Sequence, residues 1–253
     1  MSISLNKFVP RYHGYIENGD SSKAVVRTIY SLFNRYPNQT TEVKKFLNDS
    51  PSKTKMLIIG TSQGQEPLTH IQSAFEIAQD KHKNIDDILD LNLIEAAEQM
   101  PIFDRADKYA SKTALDFLQN LYKDTSKSYF STPFESVVKN MKKQNSKKDI
   151  ILFNNVIQHI NYGKNQENEE SVLNSIGDLI DLTNDNGLFC FTCEPIVLNK
   201  FEHIQNSYNK VLKMLQNKGF VRISDGIYKK INRNVITQSQ RAQVLAKTYT
   251  SQS

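Results

Sequence analysis

The stretch Met56-Leu57-Ile58-Ile59-Gly60-Thr61-Ser62-Gln63-Gly64-Gln65-Glu66-Pro67 decides the fold of this chain. Four apolar residues in a row, Met56 to Ile59, read as a strand buried on both faces, as in a parallel sheet. Beyond the turn, Leu68, Ile71, Ala74, Phe75 and Ala78 recur at helical spacing. Pro67 suits a first helical turn, where its missing N–H costs nothing. The unit is therefore strand, small-residue turn, helix. Glycines in such a turn let a ligand approach the backbone, and the helix N-terminus favours a negative group there. In an open α/β sheet this is where nucleotide-like cofactors bind. The turn is not the GxGxxG dinucleotide fingerprint, and no GxxxxGK(S/T) phosphate loop occurs. Taken alone, it reads equally as a tight βα turn with glycines for packing.

The same alternation continues along the chain. Strands are predicted over 55–61, 85–91, 129–133, 149–155 and 188–192, with helices over 93–99, 112–122, 169–183 and 201–218. Gly219 stops the last of these helices. Two further strands, 220–224 and 227–231, are joined by Asp225-Gly226, a hairpin signal. Repeated strand–helix units imply a parallel sheet covered on both faces, and the hairpin makes the final strand antiparallel. Residues 1–50 read as a helical segment, with Ala24, Val25, Thr28, Ile29, Leu32 and Phe33 on one apolar face and Val43, Phe46 and Leu47 on a shorter one. The polar run Asn48-Asp49-Ser50-Pro51-Ser52 marks its boundary. The main domain is predicted over 51–235 and a basic tail over 236–253. Residues 139–148 form a basic polar linker that reads as a solvated helix end and loop.

The chain has 253 residues, enough for one sizeable core, and 38% hydrophobic content, ordinary for a soluble domain. It holds no run of about 18 apolar residues, so membrane insertion is not expected. The first residues lack the apolar stretch of a cleaved signal, and a cytoplasmic location is expected. Cys190 and Cys193 are the only cysteines. No further ligands lie nearby at metal spacing, so they read as ordinary strand cysteines, and no metal is expected. The formal charge of +5 is matched by five basic residues and no acid between Gly226 and Ser253. Their wide spacing favours a solvated terminus over a nucleic-acid surface.

Three polar features fall where strands are predicted to end: the turn Gly60–Glu66, Asp90 after the second strand, and Asn154-Asn155 after a later one. An acid after strand two is placed to accept hydrogen bonds from a ribose. Each has a plainer reading: Asp90 as a helix cap, the asparagines as turn residues.

In this order the motifs resemble those of the CheR-type chemotaxis methyltransferases, class I enzymes that use S-adenosylmethionine to esterify glutamates. The family's S-T-G-E-E-P is similar to Ser62-Gln63-Gly64-Gln65-Glu66-Pro67, and its T-D-I-D to Leu89-Asp90-Leu91-Asn92. Its R-N-V-x-x-Y-F resembles Asn154-Asn155-Val156-Ile157-Gln158-His159-Ile160, and its late G-G-x-L-x-x-G-x-x-E resembles Asn186 through Glu194. Its F-F-R is similar to Phe33-Asn34-Arg35. Together these cover roughly residues 28–232. The family has arginine and tyrosine where this chain has Asn154 and His159, and near Pro133 an asparagine where the nearest match is Glu135. The span from Phe103 to Asn154 is shorter than the family's, where a small receptor-docking subdomain is inserted.

The resemblance implies a class I methyltransferase (Rossmann-like) fold: a mostly parallel seven-stranded sheet with a terminal antiparallel hairpin, behind a short helical segment. It implies S-adenosylmethionine as cofactor, held by Gly60, Ser62, Gly64, Glu66, Asp90, Asn154 and Asn155. Asp90 would take the ribose hydroxyls, and Glu66 the amino group of the methionine end. Arg35 would reach toward cofactor or acceptor carboxylate, and His159 would serve the acceptor, a protein or small-molecule carboxylate. The alternative is a catalytically degenerate module that binds cofactor or a partner. Oligomeric state has no signature in the sequence.

Overall fold

The computed structural model describes residues 37–61, 65–95, 111–157 and 169–231. Helix α1 (Pro37–Asp49) precedes β1 (Thr54–Ile59), α2 (Gln65–Asp80), a single turn α3 (Ile85–Ile88) and β2 (Leu89–Glu95). Then come α4 (Lys112–Lys123), β3 (Ser128–Phe130), α5 (Phe134–Lys143), β4 (Lys148–Asn154) and α6 (Glu169–Asp181). The chain continues through β5 (Thr183–Thr192), α7 (Pro195–Lys200), α8 (Glu202–Asn217), β6 (Phe220–Ser224) and β7 (Ile227–Lys230).

The strands form one seven-stranded sheet in the order β3-β2-β1-β4-β5-β7-β6. β1 pairs with β4, and β4 with β5, in parallel. β7 runs antiparallel to both β5 and β6. This is the mostly parallel sheet with an antiparallel end hairpin that the sequence predicts. The continuous apolar runs Met56–Ile59, Ile150–Phe153 and Leu188–Phe191 are buried, as strands covered on both faces must be. Gly226 sits in the hairpin turn with φ +65°.

By its contacts the chain divides into two compact units. The first holds α1, α2, α3, α4 and β3. Within it, Val43 and Leu47 of α1 are buried, and Lys44 pairs with Glu76 of α2 at 2.6 Å. Ser111 caps α4 through the Ala114 amide and also donates its own amide and hydroxyl to Gln72 Oε1, at 3.0 and 2.9 Å. The second unit holds β1, the centre of β2, and the described residues from Thr132 onward. Its core includes a run of four rings: Phe134, Phe153, Phe191 and Tyr208, with centroids 6.0, 6.0 and 4.6 Å apart.

Several predicted boundaries move. The strand predicted over 85–91 is a helical turn followed by a strand that runs to Glu95. Asp87 Oδ2 accepts from the Asn84 amide at 3.2 Å, half of a capping box, and this closes Ile85–Ile88 into a turn. Leu93 and Ile94, predicted as the start of a helix, are fully buried strand residues. The predicted helix end and loop over 139–148 is the end of α5 to Lys143 and a turn beyond it. Lys148 itself opens β4, buried, with Nζ 2.6 Å from Asn92 Oδ1. β5 begins at Thr183 and crosses an irregularity near Asn186, whose φ is +63°. The helix predicted over 201–218 is α8, Glu202–Asn217, and a short helix that was not predicted, α7, precedes it; Phe201, with an extended backbone (φ −127°), separates the two. Cys190 and Cys193 are both buried thiols.

Candidate functional site at the carboxyl ends of the strands

Gly60 closes β1. Its φ of +72° is a left-handed conformation, and a Cβ there would lie 2.5 Å from Val156 Cγ2. Both facts demand glycine, so its presence follows from backbone and packing alone. The Gly60 amide donates to the Ile94 carbonyl at 2.9 Å, which brings the carboxyl ends of β1 and β2 together. The residues that follow in sequence, Thr61 and Glu95, are also bonded to each other. Thr61, 1% exposed, donates its hydroxyl to Glu95 Oε2 at 3.2 Å. Glu95 is itself half-buried.

Asp90 is therefore not at the ligand-binding edge. It is the second residue of β2, five residues before Glu95. At about 3.3 Å per residue, that is roughly 16 Å toward the amino end. Ligands in open α/β sheets gather at carboxyl ends, so the acid in that position is Glu95. The sequence carried a signal for it. Leu89, Leu91 and Leu93 alternate with Asp90 and Asn92, the period of a strand, and Glu95 is the first charged residue after Ile94.

Asn154 ends β4, and its Oδ1 accepts from the Thr192 hydroxyl at 3.0 Å, its register partner on β5. It is 5% exposed. Alternation along the strands puts this pair on the face opposite Phe153 and Phe191. Asn155 turns the chain with φ +53°, and its amide donates to the Thr192 carbonyl at 2.9 Å. Asn tolerates this conformation better than most residues. Gly60, Asn154 and Asn155 thus lie at the ends of adjacent strands, with Val156 touching the Gly60 position.

Glu66 is half-buried in the first turn of α2. Ser62, Gly64, Arg35 and His159 lie outside the described residues. Glu135, half-buried, is in the first turn of α5. Burial lowers the pKa of His70 to about 4, so this histidine is neutral and no acid–base group near neutrality. Burial first, and then the charge of Glu95, hold the Tyr122 hydroxyl well above its ordinary range. Burial also raises Tyr208 and Tyr228, so all three stay protonated. Among the described residues no cluster of His, Cys, Asp and Glu could hold a metal, and no helix is long and apolar enough to cross a membrane.

No family model matches this sequence, and no curated protein does. Solved structures with similar architecture include an O-methyltransferase family protein from Burkholderia thailandensis, with 10% identity over 78% of this chain and 57% of the other, TM-score 0.39. N-methyltransferase NodS from Bradyrhizobium japonicum WM9 shows 12% identity over 80% of this chain and 99% of the other, TM-score 0.40. The plantazolicin methyltransferase BpumL, solved in complex with SAH, shows 14% identity over 81% of this chain and 72% of the other, TM-score 0.40. The chain spans little more than half the length of the Burkholderia protein. Identity this low transfers neither residue roles nor substrates.

Proposed function

We propose that this chain binds S-adenosylmethionine and transfers its methyl group to an acceptor, as a divergent relative of the CheR-type enzymes. The observation that carries the reading is the junction of β1 and β2. Gly60 is tied to Ile94, and directly beyond it a half-buried acid, Glu95, is held by a buried threonine. A carboxylate at the carboxyl end of the second strand is the group that accepts hydrogen bonds from a ribose diol. The donor set fits the cofactor. Glu95 takes the ribose hydroxyls in place of Asp90. Glu66, in the first turn of α2, offers a negative partner to the amino group of the methionine end. Ser62 and Gly64 keep the roles given by resemblance.

S-adenosylmethionine supplies an electrophilic methyl group on a sulfonium. A carboxylate acceptor is already a nucleophile at neutral pH, so the protein's task is alignment and exclusion of water. No general base is required, and neither His70 nor the buried tyrosines offer one. The resemblance favours a protein or small-molecule carboxylate as acceptor, with Arg35 and His159 as the residues serving it, in a cytoplasmic enzyme.

One observation favours a second reading, a module that binds cofactor without transferring methyl. Asn154 occupies the family's arginine position and is bonded across the sheet to Thr192. The test begins with calorimetric titration of the purified protein by S-adenosylmethionine and S-adenosylhomocysteine. Micromolar binding supports the site, and failure of both ligands to bind refutes it. Incorporation of labelled methyl, released from the acceptor by base as expected of an ester, then separates enzyme from module.

A further inference from the structure

We infer that Thr61 is a positioning residue, whose hydroxyl holds the Glu95 carboxylate in the one orientation that receives a vicinal diol. The inference rests on the cofactor-binding reading above and deepens it.

Three features of the chain build this device. Thr61 follows a glycine whose left-handed φ of +72° and contact with Val156 fix the direction in which the chain leaves β1. Gly60 N–H to Ile94 O at 2.9 Å fixes the end of β2 against it. The two backbones are thus locked one residue before the side chains meet. Thr61 is 1% exposed and β-branched, so its χ1 has little freedom. Glu95 has three rotatable bonds and stands half-buried at a strand end, so each bond its carboxylate accepts narrows the rotamers it can take. The donated hydrogen bond at 3.2 Å restrains the position of Oε2. A diol presents two donors at fixed spacing, so the acceptor must be oriented before the ligand arrives. Immobilising one such side chain on binding weakens affinity by about two- to tenfold, and Thr61 removes that cost in advance.

The test measures S-adenosylhomocysteine affinity by calorimetry in Thr61→Val, Thr61→Ser and Glu95→Gln, and in Thr61→Val combined with Glu95→Gln. Valine keeps the shape and loses the hydroxyl. Serine keeps the hydroxyl and, as the smaller side chain, guards against a folding defect. The expected result is a two- to tenfold rise in Kd for Thr61→Val and restoration to within about twofold in Thr61→Ser. In the Glu95→Gln background, Thr61→Val should add less than twofold, because the residue acts through that carboxylate. Unchanged affinity in Thr61→Val overturns the inference while the cofactor site stands. An equal loss in both backgrounds overturns it too, by showing a structural role independent of Glu95. If the native chain binds neither S-adenosylhomocysteine nor S-adenosylmethionine, the cofactor reading falls and this one falls with it.

Discussion

Replacing Gly60 with alanine should destabilise the fold by about 2–5 kcal/mol, a figure that follows from two separable costs. The backbone at Gly60 holds φ +72°, and an L-residue there costs about 1–2 kcal/mol. The new methyl would lie 2.5 Å from Val156 Cγ2, where carbon atoms rest at about 3.5–4.0 Å. Val156 would have to retreat by roughly 1 Å, and overpacking of this kind costs about 1–3 kcal/mol. Val156 is 9% exposed at the end of β4 and has packed neighbours on most sides. The assay is urea unfolding followed by circular dichroism, with m unchanged so that the shift in midpoint reads stability. The second cost can be isolated. In a Val156→Ala background the clash is gone, and Gly60→Ala should cost only the backbone share, about 1–2 kcal/mol. A Gly60→Ala protein within about 0.5 kcal/mol of the native one would refute the geometry. So would an equal loss in both backgrounds, because Val156 would then play no part.

Further outcomes follow from the same structure. Glu95→Ala should weaken S-adenosylhomocysteine by about 30-fold, the worth of about 2 kcal/mol of charge-assisted hydrogen bonding, while Asp90→Ala stays within about threefold. The reverse pattern in calorimetry would return the ribose role to Asp90. Asn154→Arg, which restores the family's residue, should lower stability by at least about 2 kcal/mol. It removes the bond with Thr192 and forces a charge into a position 5% exposed. An unchanged unfolding midpoint would refute this. His70 is neutral in the fold with a pKa near 4, whereas the unfolded chain takes up the proton near 6.5. Its contribution is therefore intact above pH 6.5 and is lost as pH falls toward 4, on the order of 3 kcal/mol in all. Urea midpoints at pH 7, 6 and 5 should fall more steeply for the native chain than for His70→Gln, and identical slopes would refute the assignment.

Much of the architecture was legible in local pattern. Met56–Ile59, Ile150–Phe153 and Leu188–Phe191 are apolar runs too short for helices and too continuous for half-exposed strands, and each lies in the sheet interior. Asp225-Gly226 announced its hairpin by turn chemistry alone. The site was less legible. Asp90 looked like the end of a strand because Ile85 and Ile88–Leu91 form an apolar cluster. Only the helical turn closed by Asn84 and Asp87 shows that β2 begins four residues later than predicted. Asn154 looked like a cofactor contact by motif, and its bond to Thr192, 38 residues away in the chain, shows it tied into the sheet.

The sequence by itself determined the alternation of strands and helices, the antiparallel ending and the glycine turn after β1, because periodicity and turn chemistry act over a few neighbouring residues. The tertiary structure alone decided which acid stands at the carboxyl edge. That choice depends on where β2 stops against β1, and the hydrogen bond from Gly60 to Ile94 joins residues 34 apart in the chain, a distance no local pattern spans.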